Sequence, residues 1–472
     1  MAADMSKGST DYDLIVIGAG PVGENVADYA RKRGIRVAIV ESELVGGECS
    51  YWACMPSKAL LRPYEALEEV RRIPGAAEAV TGELDVQALL DRRDEIIHDL
   101  DDSSQLPWLE ERGIALLRGR GRVTGERRVT VELNEGGSEE LEARKAVFLA
   151  GGTLPAMPPI EGLDQIDDAW TNRESTTAKE VPDSMVILGG GVVGVEMSQA
   201  YGSLGTKVSL VEGERKLLPR EEWFACEQVQ ESLEKLGVDV RRGQNAERVT
   251  RDDDGTVTVH LGDGGSVSGD VVLVALGRTP QTQQLGLEDL GFEAGKYVEV
   301  DEHYVVGGHD WLYAIGDVNG KALFTHMGKY QARIATAHVL GQDVATEHGA
   351  DGPLSPRVIF CDPQVAAVGH TSETAEEAGL DVEIVEVDTS GNAGGSYYGR
   401  NAAGTSRLVI DKQRGVLIGA TITGAEVSEM LHAATIAIVG EVPVARLRHA
   451  VPAFPTRSEI WLNLLEQAET GS

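Results

Sequence analysis

The stretch Asp13-Leu14-Ile15-Val16-Ile17-Gly18-Ala19-Gly20-Pro21-Val22-Gly23 decides the fold. A short apolar strand runs straight into G-x-G-x-x-G. A helical pattern follows over 24–32, then a second apolar strand over 36–40 that ends at Glu41, 18 residues beyond Gly23. Each glycine has its own task. Gly18 makes the turn, Gly20 lets the backbone approach a pyrophosphate, and Gly23 lets helix press onto strand. The helix N-terminus then offers N–H donors and the positive end of its dipole to the phosphates. Glu41 is placed to hydrogen-bond ribose hydroxyls. A lone glycine pattern is weak, but the strand before it, the helix behind it and the acid closing the next strand together predict a dinucleotide site.

The unit recurs. Met185-Val186-Ile187-Leu188 leads into Gly189-Gly190-Gly191-Val192-Val193-Gly194, a helix over 195–204 and a strand over 207–211 ending at Glu212. The repeated spacing marks an internal duplication. Two dinucleotide sites in one chain, with a cysteine pair between them, imply electron flow between two carriers.

That pair lies in Gly46-Gly47-Glu48-Cys49-Ser50-Tyr51-Trp52-Ala53-Cys54-Met55-Pro56-Ser57-Lys58. The 472 residues hold four cysteines, so a close pair stands out. Taken alone it admits two readings, two buried thiols or a redox disulfide. Zinc is not supported, because no other Cys or His follows before His98 and a structural zinc takes four ligands. In an unbroken helix, residues five apart have Cα atoms roughly 8–9 Å apart, whereas a disulfide needs less than about 7 Å. A bridge therefore requires a distorted helix start, or a pair lying mostly ahead of the helix. Pro56 suits a first helical position, which puts Cys54 near a helix N-terminus, where the dipole favours thiolate. Cys226 and Cys361 are isolated in sequence and read as core or surface thiols.

The segment resembles the active-site stretch G-G-x-C-x-N-x-G-C-x-P-[ST]-K of the class I pyridine nucleotide-disulfide oxidoreductases, which include dihydrolipoamide dehydrogenase, glutathione reductase and mercuric reductase. Both glycines, both cysteines, the proline and the lysine are kept. Tyr51 replaces Asn, Ala53 replaces Gly, and Trp52 is unusually large. The resemblance covers nearly the whole chain. It implies FAD in the first unit, held by Gly18, Gly20, Gly23, Glu41, Gly47 and Lys58. Residues 147–153, with Gly151, resemble the strand-to-turn crossing beside the flavin. Gly316-Asp317, closing the strand that starts at Trp311, resembles the site where an aspartate contacts the ribityl chain or phosphates. The second unit would hold a nicotinamide nucleotide through Gly189, Gly191, Gly194, Glu212 and Gly277, the last in the exit motif Ala275-Leu276-Gly277-Arg278-Thr279-Pro280. Glu212 would bind a ribose 2′-hydroxyl and repel a 2′-phosphate, which favours NAD(H) over NADP(H). Arg215 and Lys216 lie close in sequence and keep NADP(H) as the weaker alternative. The resemblance further makes Cys54 the flavin-proximal thiolate, Cys49 the exchange thiol, and Lys58 and Glu196 partners beside the flavin. His326 reads as a structural or flavin-adjacent residue.

The family's thiol-reducing members carry His-Pro-Thr-x-x-Glu near the C-terminus, where the histidine, held by the glutamate, shuttles protons. This chain reads Phe454-Pro455-Thr456-Arg457-Ser458-Glu459. The frame is kept and the base is lost. His449, five residues upstream, is the nearest substitute. Tyr51, Trp52 and Phe454 form either an aromatic wall around the disulfide or interface packing. Mercuric reductases also lack this histidine but carry a C-terminal cysteine pair, and no cysteine follows Cys361 here.

Bulk properties bound the rest. The net charge is −33, which argues against nucleic acid and against anionic membrane. No apolar run approaches the length of a membrane span, and the polar first dozen residues carry no signal-peptide pattern. The expectation is a cytoplasmic enzyme. Residues 1–12 are expected to be a tail and 64–113 helical. Residues 114–148 are expected to form a small antiparallel sheet, and 238–274 alternating strands. The fold is thus expected to be α/β: two nested Rossmann-like domains binding FAD and NAD(P), plus a C-terminal α+β domain. The expected boundaries are 1–155 and 283–353 for FAD, 156–282 for NAD(P), and 354–472 for the dimer interface. The expected activity is that of a dihydrolipoamide dehydrogenase-like oxidoreductase acting as a homodimer, with Cys49, Cys54, Lys58, Glu196 and Glu459 as catalytic residues and no metal. Its partner is a small-molecule electron acceptor, a disulfide or, given Phe454, a quinone or other non-disulfide acceptor. A non-enzymatic redox-sensing flavoprotein is the remaining alternative.

Overall fold

The structure, a computed structural model, describes residues 11–347, 351–352, 354–400, 402 and 404–470. Of the tail expected over 1–12, residues 1–10 lie outside the described residues, and Asp11 and Tyr12 already belong to the first strand. The chain divides into two compact units. One is built from Met1–Pro56, Asp94–Pro155 and Arg278–Pro353, the other from Ser57–Arg93, Ala156–Gly277 and Leu354–Ser472.

In the first unit, strand Asp11–Ile17 pairs in parallel with Val37–Glu41 on one side and with Ser138–Leu149 on the other. His309–Ala314 extends the parallel sheet beyond Leu149. The stretch expected as a separate antiparallel sheet is continuous with this one. Ala115–Gly125 starts as a parallel neighbour of Val37–Glu41 and then turns antiparallel against Arg128–Leu133, which in turn pairs with the first half of Ser138–Leu149. The burial explains the double role. The first half of Ser138–Leu149 is mostly exposed, whereas Ala146, Val147, Phe148 and Leu149 are buried without a break. An unbroken apolar run belongs to a parallel strand covered on both faces. Ile17, Glu41, Leu149 and Ala314 therefore end together at the carboxyl edge, where open α/β sheets bind ligands.

In the second unit, the parallel order is Val271–Val274, Ser184–Leu188, Lys207–Glu212, Asp239–Arg242. Helix Val192–Ser203 follows the second glycine motif, and Ala246–Arg251, Val257–Leu261 and Ser266–Gly269 form an antiparallel trio. The C-terminal portion is a five-stranded antiparallel sheet, Arg357–Ile359, Gln364–Gly369, Val416–Gly424, Thr405–Asp411, Val382–Asp388. It carries helices Leu431–Val439 and Ile460–Gln467. Ahead of the first of these, Glu426 adopts a left-handed conformation and Val427–Met430 is a 3-10 turn. Cys226 and Cys361 are both buried core thiols.

Candidate active site

The two glycine motifs are built alike. A side chain at Gly18 or Gly23 would run into the Ala150 or Gly18 carbonyl, and one at Gly189 or Gly194 into the Ala275 or Gly189 carbonyl. The middle glycines differ. Gly20 has only Gly47 Cα near a would-be Cβ, at 3.9 Å, and Gly191 has nothing within 4 Å. Helices Pro21–Arg31 and Val192–Ser203 begin there without a side-chain cap, so first-turn N–H groups stay free for phosphate oxygens. The glutamates repeat the symmetry. Ala19 N donates to Glu41 Oε2 at 2.7 Å and Glu43 N to Oε1 at 2.8 Å. Gly190 N donates to Glu212 Oε2 at 2.5 Å and Glu214 N to Oε1 at 2.7 Å. Burial pushes the Glu41 carboxyl up, and those two amides oppose it.

Gly46 and Gly47 both have positive φ, 110° and 60°, and they turn the chain into the short helix Gly47–Tyr51. That helix stops at Trp52 (φ −132°), and helix Cys54–Arg72 starts afresh at Cys54. The break supplies the distortion that a Cys49–Cys54 bridge requires. Both thiols are reduced here and hydrogen-bonded to each other. Cys54 Sγ lies 3.5 Å from Thr325 Oγ1, the first residue of helix Thr325–Val339. The Cys49 thiol is pushed well above its ordinary range, first by its hydrogen bond to Cys54, then by burial and by charge on Cys54. The raised Cys49 thiol favours its proton staying on Cys49, beside Cys54, which stands at one helix start and against another.

Deeper in the same unit, Arg278 Nε donates to Thr153 Oγ1 at 2.6 Å and Nη2 to Thr153 O at 2.7 Å. Thr153 Oγ1 lies 3.1 Å from Asp317 Oδ2. Burial raises the Asp317 carboxyl and the Arg278 charge opposes that. The sequence marked Gly277, Gly151 and Asp317, but Thr153 and Arg278 join them through the antiparallel pairing of Thr153–Pro155 with Arg278–Pro280, a contact across 125 residues that no local pattern announces. The backbone at this crossing needs glycine at Gly152 (φ 68°) rather than at Gly151. Gly316 also sits at positive φ, against Val22. His326 is exposed and stacks on Phe324.

In the second unit Lys58 Nζ donates to Glu196 Oε2 at 2.8 Å and Oε1 at 3.1 Å. Phe360 N donates to Glu196 Oε1 at 3.0 Å, and Lys58 Nζ stands 4.8 Å over the Phe360 ring. The expected ion pair is present. Lys216 is not free for a phosphate. It is buried, donates to Glu221 O at 2.8 Å, pairs with Glu373 at 3.1 Å and lies over Trp223. Arg215 is exposed, and Gly277 (φ 118°) has open space around it. In the C-terminal frame Phe454 is 77% exposed. Among the described residues, Glu459 Oε2 is a buried oxygen without a hydrogen-bond partner. Arg457 lies over Tyr398 at 4.4 Å and donates to Ala425 O. His449 is exposed.

Residues 12–343 match the pyridine nucleotide-disulphide oxidoreductase family, and residues 355–464 match that family's dimerisation domain. The chain belongs to the class I pyridine nucleotide-disulfide oxidoreductases. It is 31% identical to a dihydrolipoyl dehydrogenase of Chlorobaculum tepidum over 96% of each chain. It is 29% identical to a mercuric reductase of Staphylococcus aureus over 95% of this chain and 81% of that one. In structure it resembles LpdA of Mycobacterium tuberculosis, with a TM-score of 0.85 at 25% identity, covering 96% of this chain and 99% of that one. The chain is accordingly an FAD-dependent, dihydrolipoamide dehydrogenase-like oxidoreductase that works with FAD and a pyridine nucleotide. Its own residues fit those groups, since two open glycine cradles face uncapped helix starts and each is followed by a strand-end glutamate held by backbone amides. The dimerisation domain supports a homodimer. Among the described residues no helix is long and apolar enough to cross a membrane.

Proposed function

We propose that this enzyme reduces a small-molecule disulfide, with NADH as electron source and Cys49–Cys54 as its redox-active pair. Bound FAD supplies the two-electron link between the nicotinamide and that pair. The observation that carries the reading is the thiol pair itself, hydrogen-bonded across a broken helix with Cys54 against Thr325. Gly18, Gly20, Gly23, Glu41, Gly47, Gly151, Gly316 and Asp317 hold FAD. Gly189, Gly191, Gly194, Glu212 and Gly277 hold the nicotinamide nucleotide. These sites divide over an FAD domain (1–155 and 283–353), a nucleotide domain (156–282) and an interface domain (354–472). Glu196 fixes the Lys58 ammonium, which works beside the flavin. Cys54 holds the thiolate and Cys49 exchanges with substrate. The preference for NADH rests on Glu212, whose carboxylate repels a 2′-phosphate, and on Lys216, which is spent on Glu221 and Glu373.

A second reading has its own observation. Phe454 stands where a proton-shuttling imidazole is expected, which favours an acceptor that is not a thiol, such as a quinone. Anaerobic reduction with NADH tests both. A long-wavelength thiolate-to-flavin absorption band that Cys54→Ser abolishes supports the redox pair, and turnover with disulfides then ranks the acceptors. Reduced flavin without such a band, with turnover on quinones alone, sinks the disulfide reading.

A further inference from the structure

The short strands Thr153–Pro155 and Arg278–Pro280 run antiparallel, with Arg278 opposite Pro155 and Pro280 opposite Thr153. One guanidinium then clamps one residue twice, Nε on Thr153 Oγ1 at 2.6 Å and Nη2 on Thr153 O at 2.7 Å. Thr153 is buried. A hydroxyl has one hydrogen to give. Since Arg278 donates to the oxygen, that hydrogen goes to Asp317 Oδ2 at 3.1 Å. The turn around Asp317 is fixed from another side. Gly316 N donates to Gln331 Oε1 at 2.7 Å and Asn319 Nδ2 to the same oxygen at 2.9 Å, and Gln331 is fully buried. The backbone is thereby set, but the last torsion of an aspartate is soft. Among the described residues, the Thr153 hydroxyl is the hydrogen-bond donor to the Asp317 carboxylate. It sets that torsion, takes Oδ2 and leaves Oδ1 as an acceptor.

We propose that Thr153 is a positioning residue for FAD, holding the Asp317 carboxylate turned so that Oδ1 accepts from a hydroxyl of the flavin nucleotide, with Arg278 fixing Thr153 in turn. The proposal rests on Asp317 holding FAD. The same guanidinium stands 3.6 Å from Glu48 Oε1, and Glu48 immediately precedes Cys49. That separation is too long for a hydrogen bond, whereas both bonds to Thr153 are short. The aim of Thr153 therefore follows from its own two bonds and not from Glu48. Thr153 acts through Asp317, and its loss is felt as a carboxylate free to turn away from the cofactor.

The test is the FAD Kd of the full-length holoenzyme, from bound and free flavin separated by ultrafiltration after dilution. Thr153→Val keeps the side-chain shape without the hydroxyl, and its Kd rises about tenfold, the loss of one hydrogen bond to a charged group. Thr153→Ser keeps the donor and stays near the wild type. Arg278→Met lets the hydroxyl turn away and weakens FAD as well. Glu48→Gln removes an anion beside an anionic cofactor and binds FAD at least as tightly. In an Asp317→Ala background Thr153→Val and Arg278→Met add no further loss, because both act through Asp317. Wild-type affinity in Thr153→Val and Arg278→Met, losses kept in full in that background, or a loss in Glu48→Gln equal to that in Thr153→Val overturns the inference. Wild-type affinity in Asp317→Ala alone overturns the reading that Asp317 holds FAD instead, so the two failures are distinguishable.

Discussion

Phe454 and Glu459 show what one residue withholds. Glu459 keeps a buried oxygen that lacks a donor, at a cost of about 1–3 kcal/mol for an unmade hydrogen bond. Phe454→His restores the frame the glutamate serves. Dihydrolipoamide turnover is expected to rise at least about tenfold, within the reach of a positioned proton carrier, and steady-state kcat/KM checks it. No gain would mean that the frame is not the limiting feature. Lys58 and Glu196 make the second case. Glu196 has 4% of its side chain exposed, Lys58 35%. Lys58→Met strands a buried carboxylate that keeps only the Phe360 amide, whereas Glu196→Gln leaves an ammonium that water reaches. The lysine variant should therefore lose more, about 1–3 kcal/mol once solvent screening is allowed for, and urea unfolding of both variants decides the order. Lys58 was legible from the cysteine motif and Glu196 from the family resemblance. Thr325 was missed, since its neighbour Cys54 is 271 residues away in sequence.

At the scale of elements, sequence periodicity located both glycine-motif strands and helices to within a few residues. It failed where one strand serves two partners. The alternation over 114–148 is real, but a pattern of single residues does not say that the two ends of Ala115–Gly125 pair in opposite senses. The cysteine segment was left conditional on a distorted helix start, and the distortion is a break at Trp52. Its entry turn is the exacting part. Gly47 combines φ 60° with a would-be Cβ only 2.7 Å from Gly20 Cα. Backbone meets backbone there, so neither chain gives way cheaply. Gly47→Ala should cost about 1–3 kcal/mol and lower the flavin content of the purified protein. Gly34 has φ 77° with open space around it, so Gly34→Ala carries the conformational strain alone and should keep its flavin. Equal flavin loss in both variants would show that the close approach to Gly20 is unimportant.

The whole molecule carries −33, and its C-terminal surface is the part that wants a second copy. Helix Leu431–Val439 buries Leu431, Ala434, Ala437 and Ile438, yet Ile436 and Val439 on the same short helix are exposed. Val451, Phe454 and Leu462 are exposed as well, all within the 355–464 match to the dimerisation domain. Scattered apolar residues need no explanation, but exposed Ile436 and Val439 on one short helix, with only His432 and Thr435 polar on it, do, because a solvent-facing helix carries polar residues on its outer face. Burying that face has to overcome repulsion between two chains of like charge. Apolar association is insensitive to this screening, while the repulsion falls as the Debye length shrinks from roughly 10 Å at 0.1 M salt to 3 Å at 1 M. The homodimer is therefore expected to tighten as sodium chloride rises across that range. The light-scattering mass of a dilute sample should move from the 50.4 kDa of one chain toward twice that value. Ile436→Asp should hold the mass at one chain at every salt concentration, because it puts a carboxylate in the middle of the apolar face. A dimer that loosens with salt would mean that ion pairs, not the apolar helix, hold the two copies together.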